Sequence, residues 1–143
     1  MKNTIVSFLI MASIWSYGQE DNEKVKNAVL DYVDAFYYGD TTKIIRSISA
    51  DIVKYGYYRK KDETVYAGEP MSYRQMLDYA TAVKKRNNPA AADKHVKKIE
   101  VLDYQDQTAA AKLTAWWGTD YLLLSKINGN WMITHVLWQS PQK

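Results

Sequence analysis

The chain has 143 residues, a formal charge of +3, 47% hydrophobic and 24% charged residues, and no cysteine. Its length favours one domain, and the missing cysteine excludes thiolate catalysis, disulfide staples, Cys-ligated metals and a lipid-modified N-terminal cysteine. So small a positive charge makes no case for nucleic acid or a membrane surface as partner.

Met1 to Gly18 reads as a secretory signal peptide: Lys2 is the positive start, Ile5 to Trp15 the apolar run, and Ser16-Tyr17-Gly18 puts small residues at the −3 and −1 positions. The run is shorter than the roughly 20 apolar residues of a membrane-spanning helix. Cleavage after Gly18 leaves residues 19–143 as an exported domain, periplasmic or secreted, with no stable membrane anchor.

Asp21 to Tyr38 carries Val25, Ala28, Val29, Tyr32 and Phe36 at helical spacing, with Val33 and Tyr37 widening the stripe. Gly39 stops this helix, and Asp40 caps a second one holding Ile44, Ile45 and Ile48. Strand chemistry follows in Ile52, Val53, Tyr55, Tyr57 and Tyr58, then in Thr64, Val65 and Tyr66, around the turn Arg59-Lys60-Lys61-Asp62. Gly68-Glu69-Pro70 ends that hairpin. Ser72 and Gln75 form a capping box for a third helix with Met76, Tyr79, Ala80 and Val83 inside. Lys84-Lys85-Arg86 complements the dipole at its end, and Asn87-Asn88-Pro89 terminates it. Ala90 to Lys94 reads as a linker and His95 to Tyr104 as a strand.

Thr108 to Gln139 reads as a three-stranded meander. Asn128-Gly129 is the strongest hairpin signal in the chain, and Gly118-Thr119 is a weaker one. Two-residue turns there place Lys126 opposite Trp131, Leu124 opposite Ile133, Leu122 opposite His135 and Asp120 opposite Leu137. They also place Ala115 beside Leu122 and Leu113 beside Leu124. Alternation then sends Ala111, Leu113, Ala115, Leu122, Leu124, Trp131, Ile133, His135 and Leu137 to the core. The other face holds Lys112, Thr114, Trp116, Tyr121, Leu123, Ser125, Met132, Thr134, Val136 and Trp138, too apolar for bare solvent.

The Tyr38-Gly39-Asp40 junction, the Met71-Ser72-Tyr73 helix entry, Asp120 to Leu124 and Asn128 to Ile133 resemble the nuclear-transport-factor-two-like superfamily, and within it the putative lumazine-binding family, across roughly Asn22 to Gln139. The resemblance implies an α+β fold: a cone-shaped, curved antiparallel sheet with three helices packed on its concave face, enclosing a pocket. It also implies a homodimer through the sheet, for which Trp116, Tyr121, Met132 and Trp138 are the central residues. Relatives often carry His-Pro after the second helix, where this chain has Ser49-Ala50, so any role of that histidine is absent.

Chemistry-bearing motifs are sparse. His95 and His135 are the only histidines and lack metal-ligand spacing, the glycines form no phosphate loop, and no serine sits in a nucleophile elbow. No cofactor and no metal is expected. With 12 Tyr and 5 Trp against 2 Phe, the aromatics combine apolar area with polar tips, as a pocket requires. The expected lining is Tyr37, Tyr55, Tyr57, Met76, Tyr79, Trp131 and His135, around a small apolar or aromatic ligand. Two functions follow: a non-catalytic binding module, or a small acid–base enzyme of isomerase, dehydratase or hydrolase type. For the latter, Asp120 and His135 are diagonal neighbours on the inward face, and a carboxylate beside an imidazole prepares it for proton transfer.

Overall fold

A computed structural model describes the backbone of residues 3–61, 63–86 and 88–141, and side chains from Gln19 onward within those ranges; the leader reading of Met1 to Gly18 lies outside the described side chains. The elements run α1 (Asn3–Tyr38), α2 (Thr41–Ser47), β1 (Ile48–Tyr58), β2 (Ala67–Pro70), α3 (Tyr73–Arg86), α4 (Pro89–Ala92), β3 (Lys98–Tyr104), β4 (Thr108–Ala115), β5 (Gly118–Ile127) and β6 (Asn130–Gln139). The fold is α+β. Six strands in the order β2-β1-β6-β5-β4-β3 form an open sheet, and the helices pack against it. Every pairing is antiparallel except that of β1 with β6, so the sheet is mixed. The whole of the intervening chain serves as the long crossover that a parallel pair needs.

Local signals act as their chemistry dictates. The Asp40 carboxylate accepts the Thr42 N–H at 2.9 Å to start α2. Ser72 N–H donates to Gln75 Oε1 at 2.7 Å, and Gln75 N–H to Ser72 Oγ at 3.3 Å, closing the capping box before α3. Ile48 belongs to β1 rather than α2. Asn88 caps the single turn of α4 inside the stretch that reads as linker. The second strand begins at Ala67, so Gly68-Glu69-Pro70 is strand rather than its end. Pro70 is tolerated because β2 is an edge. His95 precedes β3, donating its backbone N–H to Ala92 O at 3.0 Å.

The core lies between α1 and the sheet. Val25, Val29, Tyr32, Val33 and Phe36 meet Ala111, Leu113, Leu122, Leu124, Trp131 and Ile133, all buried. Fully burying each such Val or Leu contributes about 1.5–3 kcal/mol.

Two features correct the expected register. The β4–β5 turn is Trp116-Trp117, not Gly118-Thr119, so Ala115 pairs with Gly118, Leu113 with Asp120 and Ala111 with Leu122. Gly118 is a glycine for another reason: its φ is +135° and a Cβ there would strike the Gln139 carbonyl. At the other end of the meander, Asn128 and Gly129 take φ of 51° and 80°, and Lys126 pairs with Trp131 and Leu124 with Ile133 as expected. Beyond Ile133 the pairing slips by one at a β-bulge containing Thr134. Leu123 pairs with His135, Leu122 with Val136 and Asp120 with Trp138. The slip exchanges faces: Val136 is buried and Trp138 turns inward, while His135 and Leu137 turn to solvent.

Candidate functional site

Asp120 is the one carboxylate that alternation sends into the apolar face of β5, and it is 0% exposed. A buried charge must be paired and hydrogen-bonded. Tyr32 of α1 donates its hydroxyl hydrogen to Asp120 Oδ2 at 2.8 Å, and Trp117 Nε1–H donates to Oδ1 at 2.8 Å. The matching positive charge comes from β1. Lys54, 8% exposed, donates from Nζ to the Tyr32 hydroxyl oxygen at 2.8 Å. Its ammonium also lies 4.8 Å from the Phe36 ring centre and 5.1 Å from that of Tyr32, a favourable place for a cation. The result is a hydrogen-bonded line, Lys54 to Tyr32 to Asp120, with donors all pointing one way. No buried side-chain nitrogen or oxygen among the described residues lacks a partner.

Burial sets the protonation of all three groups. Desolvation holds the Lys54 amine down at about 8, with the Asp120 charge opposing. Desolvation also raises the Asp120 carboxyl, against the charge of Lys54 and the bonds from Trp117 and Tyr32. The Tyr32 phenol is raised well above its usual value by burial, then by the Asp120 charge. Tyr32 therefore stays neutral and bridges two ionisable groups whose affinities for the proton have been brought closer together.

Lys54 stands at the wall of a cavity of about 150 Å³ that opens to solvent, lined by Phe36, Lys54, Met71, Tyr79, Trp116, Trp117 and Trp138. Trp138 reaches it because of the bulge in β6, and because Gly56 lies beneath its indole, where a Cβ would collide with the ring. Trp117 is fixed edge-on to Tyr32, Phe36 and Tyr37, with ring centres 6.5, 6.0 and 5.4 Å apart. A wider depression of about 460 Å³ adjoins the cavity, sharing Phe36, Tyr79 and Trp116 and extending over Tyr37 and His95 to α3 and α4.

The expected site residues are thus dispersed. Tyr79 lines both spaces and Tyr37 the wider one. The Tyr37 hydroxyl donates to Val96 O and accepts the Trp116 N–H at 3.1 Å, which anchors the β4–β5 turn. Met76 is buried in the core. Trp131 is buried away from the cavity, its Nε1–H donating to Asp21 at 3.1 Å. Tyr55 and Tyr57 point outward, since the inward positions of β1 are Lys54 and Gly56. His135 is also outward, with Nδ1 3.1 Å from Thr134 Oγ1, so the Asp120–His135 pair does not form; the bulge separates the two across the sheet.

Lys54 was not among the expected residues. In Val53-Lys54-Tyr55-Gly56-Tyr57 the apolar side chains occupy the outward parity, which hides the lysine from a polarity argument. Two signals pointed to it nonetheless. A glycine inside a strand marks close approach of another group. An acid on an apolar face also demands a cation from elsewhere on the same side of the sheet, here β1, with β6 between it and β5.

Comparison with known proteins places this geometry. The family model described as putative lumazine-binding matches residues 20–139. An NTF-2 like protein of unknown function from Silicibacter pomeroyi is 16% identical, over 87% of this chain and 98% of that one, with a TM-score of 0.67. An NTF2-like protein of unknown function from Methylobacillus flagellatus is 20% identical, over 86% and 94%, with a TM-score of 0.65. At such identities the likeness carries the fold, not the site. No curated protein matches the sequence.

Proposed function

The chain belongs to the putative lumazine-binding family and has the cone-shaped NTF2-like fold, and on that footing we propose that it is a small-molecule-binding domain whose ligand sits in the Lys54 cavity. The observation that carries this reading is a buried ammonium in the wall of a pocket otherwise made of aromatic and apolar side chains. Pockets of this composition hold planar molecules by their faces and orient them by a few polar contacts. Among the described residues Tyr32 is the one hydrogen-bond acceptor of Lys54, so the amine has donors left for a ligand oxygen. The favoured ligand is a flat ring system with a carbonyl or anionic oxygen at one edge. A space of about 150 Å³ accepts one benzene-sized ring; a second ring would extend past Trp116 into the adjoining depression.

Calorimetric titration with lumazine and with benzyl alcohol tests this. The smaller probe is expected to bind with Kd on the order of 0.1 mM, given the energy available per ligand atom. Trp138→Ala should weaken it at least about twofold, since a stacked aromatic contact is worth roughly 0.5–1.5 kcal/mol. Absence of binding by both probes would remove the reading.

The same proposal includes export and dimerisation. Removal of residues 1–18 leaves the matched segment 20–139 intact. The outer face of the sheet carries Tyr121, Leu123 and Leu137 at 54, 52 and 51% exposure, with Tyr55 and Val53 beside them on β1. Such a patch suits a desolvated interface between two copies. Trp138 is no part of it, because it faces the cavity, and Trp116 sits at the cavity rim. Protein recovered from its native host is expected to begin at Gln19 by intact mass and to sediment as a dimer. Tyr121→Lys should shift that dimer toward monomer at micromolar concentration. A full-length, monomeric product would reject both parts.

A further inference from the structure

Resting on the binding reading above, we propose that Lys54 is a nucleophile that captures aromatic or conjugated aldehydes and ketones as an imine, with the Tyr32–Asp120 pair handling the proton. Three features of the geometry support it. Lys54 is nine-tenths buried yet lines a cavity that opens to solvent, which gives a carbonyl compound a route to the lysine. The cavity walls are flat aromatic surfaces, which select a conjugated carbonyl compound over a polar sugar or amino acid. The donors run from Lys54 through Tyr32 to Asp120, the direction in which a proton must leave the ammonium to free its lone pair. Among the described residues that line the cavity, Tyr79 of α3 is the one other titratable group; the β4–β5 turn, β6 and the segment after β2 contribute Trp116, Trp117, Trp138 and Met71.

The step balances on these groups. Lys54 passes a proton to the Tyr32 oxygen as Tyr32 passes its own to Asp120, which leaves a neutral amine, a neutral phenol and a neutral acid. The Nζ lone pair attacks the carbonyl carbon, the C–N bond forms, and the π electrons move to oxygen. Transfer of one amine proton to that oxygen gives the carbinolamine. Asp120 then returns its proton through Tyr32 to the hydroxyl, the C–O bond breaks, and water departs. A protonated imine stands where the ammonium stood, and Asp120 is again a carboxylate. The lowered proton affinity of Lys54 supplies neutral amine near neutral pH, where exposed lysines have almost none.

The test is reductive trapping of the full chain at pH 7.5 with benzaldehyde and cyanoborohydride, followed by peptide mapping, with benzyl alcohol titrated in parallel. The expected result is an adduct concentrated on Lys54, formed at least about tenfold faster than at the other lysines, given their difference in neutral fraction. It should be lost in Lys54→Met. Tyr32→Phe should slow it at least about tenfold more than it weakens benzyl alcohol binding, because it cuts the proton path as well as removing the acceptor that holds Lys54. Benzyl alcohol binding with adducts spread over the exposed lysines would overturn the proposal and leave the binding reading standing. Failure of both probes to bind would overturn both. The wild-type map alone decides the point if a variant fails to fold.

Discussion

Asp120→Ala is expected to lower the free energy of unfolding by about 3–5 kcal/mol, the cost of removing one partner from a buried ion pair. The substitution leaves the Tyr32 hydroxyl and the Trp117 indole N–H without acceptors and strands the Lys54 ammonium without a countercharge. Asp120→Asn keeps one acceptor oxygen and should cost roughly half as much, since one of the two donors stays satisfied. Urea unfolding at pH 7 measures both. A loss under about 1 kcal/mol for the alanine variant would mean that the pair is solvated and that the site as described is wrong.

Lys54 should make stability rise with pH in the alkaline range. Its amine releases a proton at about 8 in the folded protein and at 10.5 when unfolded. Between those values the unfolded chain binds more protons, so raising the pH favours the folded state; below about 8 both states are protonated and the full cost of the buried charge is present. The gain across the window is about 3 kcal/mol from this group alone. Other groups titrate in the same range, so the quantity to follow is wild type minus Lys54→Met, by chemical denaturation at pH 7 and pH 10. The difference should move in favour of wild type by about 2–3 kcal/mol. A constant difference would show that the folded amine keeps an ordinary proton affinity.

Much of the fold was legible because it rests on short-range chemistry. The stripe of Val25, Val29, Tyr32 and Phe36, the Asp40 cap, the Ser72–Gln75 box and the Asn128-Gly129 turn each depend on neighbours within a few residues, and each stands where the sequence puts it. The site was less legible because it depends on long-range choices. Whether Gly118 serves a turn or a close approach depends on where the Gln139 carbonyl lies. Whether Lys54 faces in or out depends on an acid in β5 and a phenol in α1, far away along the chain. Aromatic character placed Tyr55 and Tyr57 in the expected lining. The structure instead assigned the interior by the need to pair Asp120.

The bulge in β6 has a consequence for carrying functional roles between relatives. The same ten residues contain two possible linings: Ile133, His135 and Leu137 on a regular strand, or Ile133, Val136 and Trp138 with the extra residue at Thr134. The first would set an imidazole near Asp120, the second an indole, and not one amino acid differs between them. A sequence alignment that matches Trp138 to a tryptophan in another protein therefore says nothing about where that ring points until the bulge is known to be shared. In this fold the aligned column names the side chain, and the count of residues across one strand decides whether the ligand ever meets it.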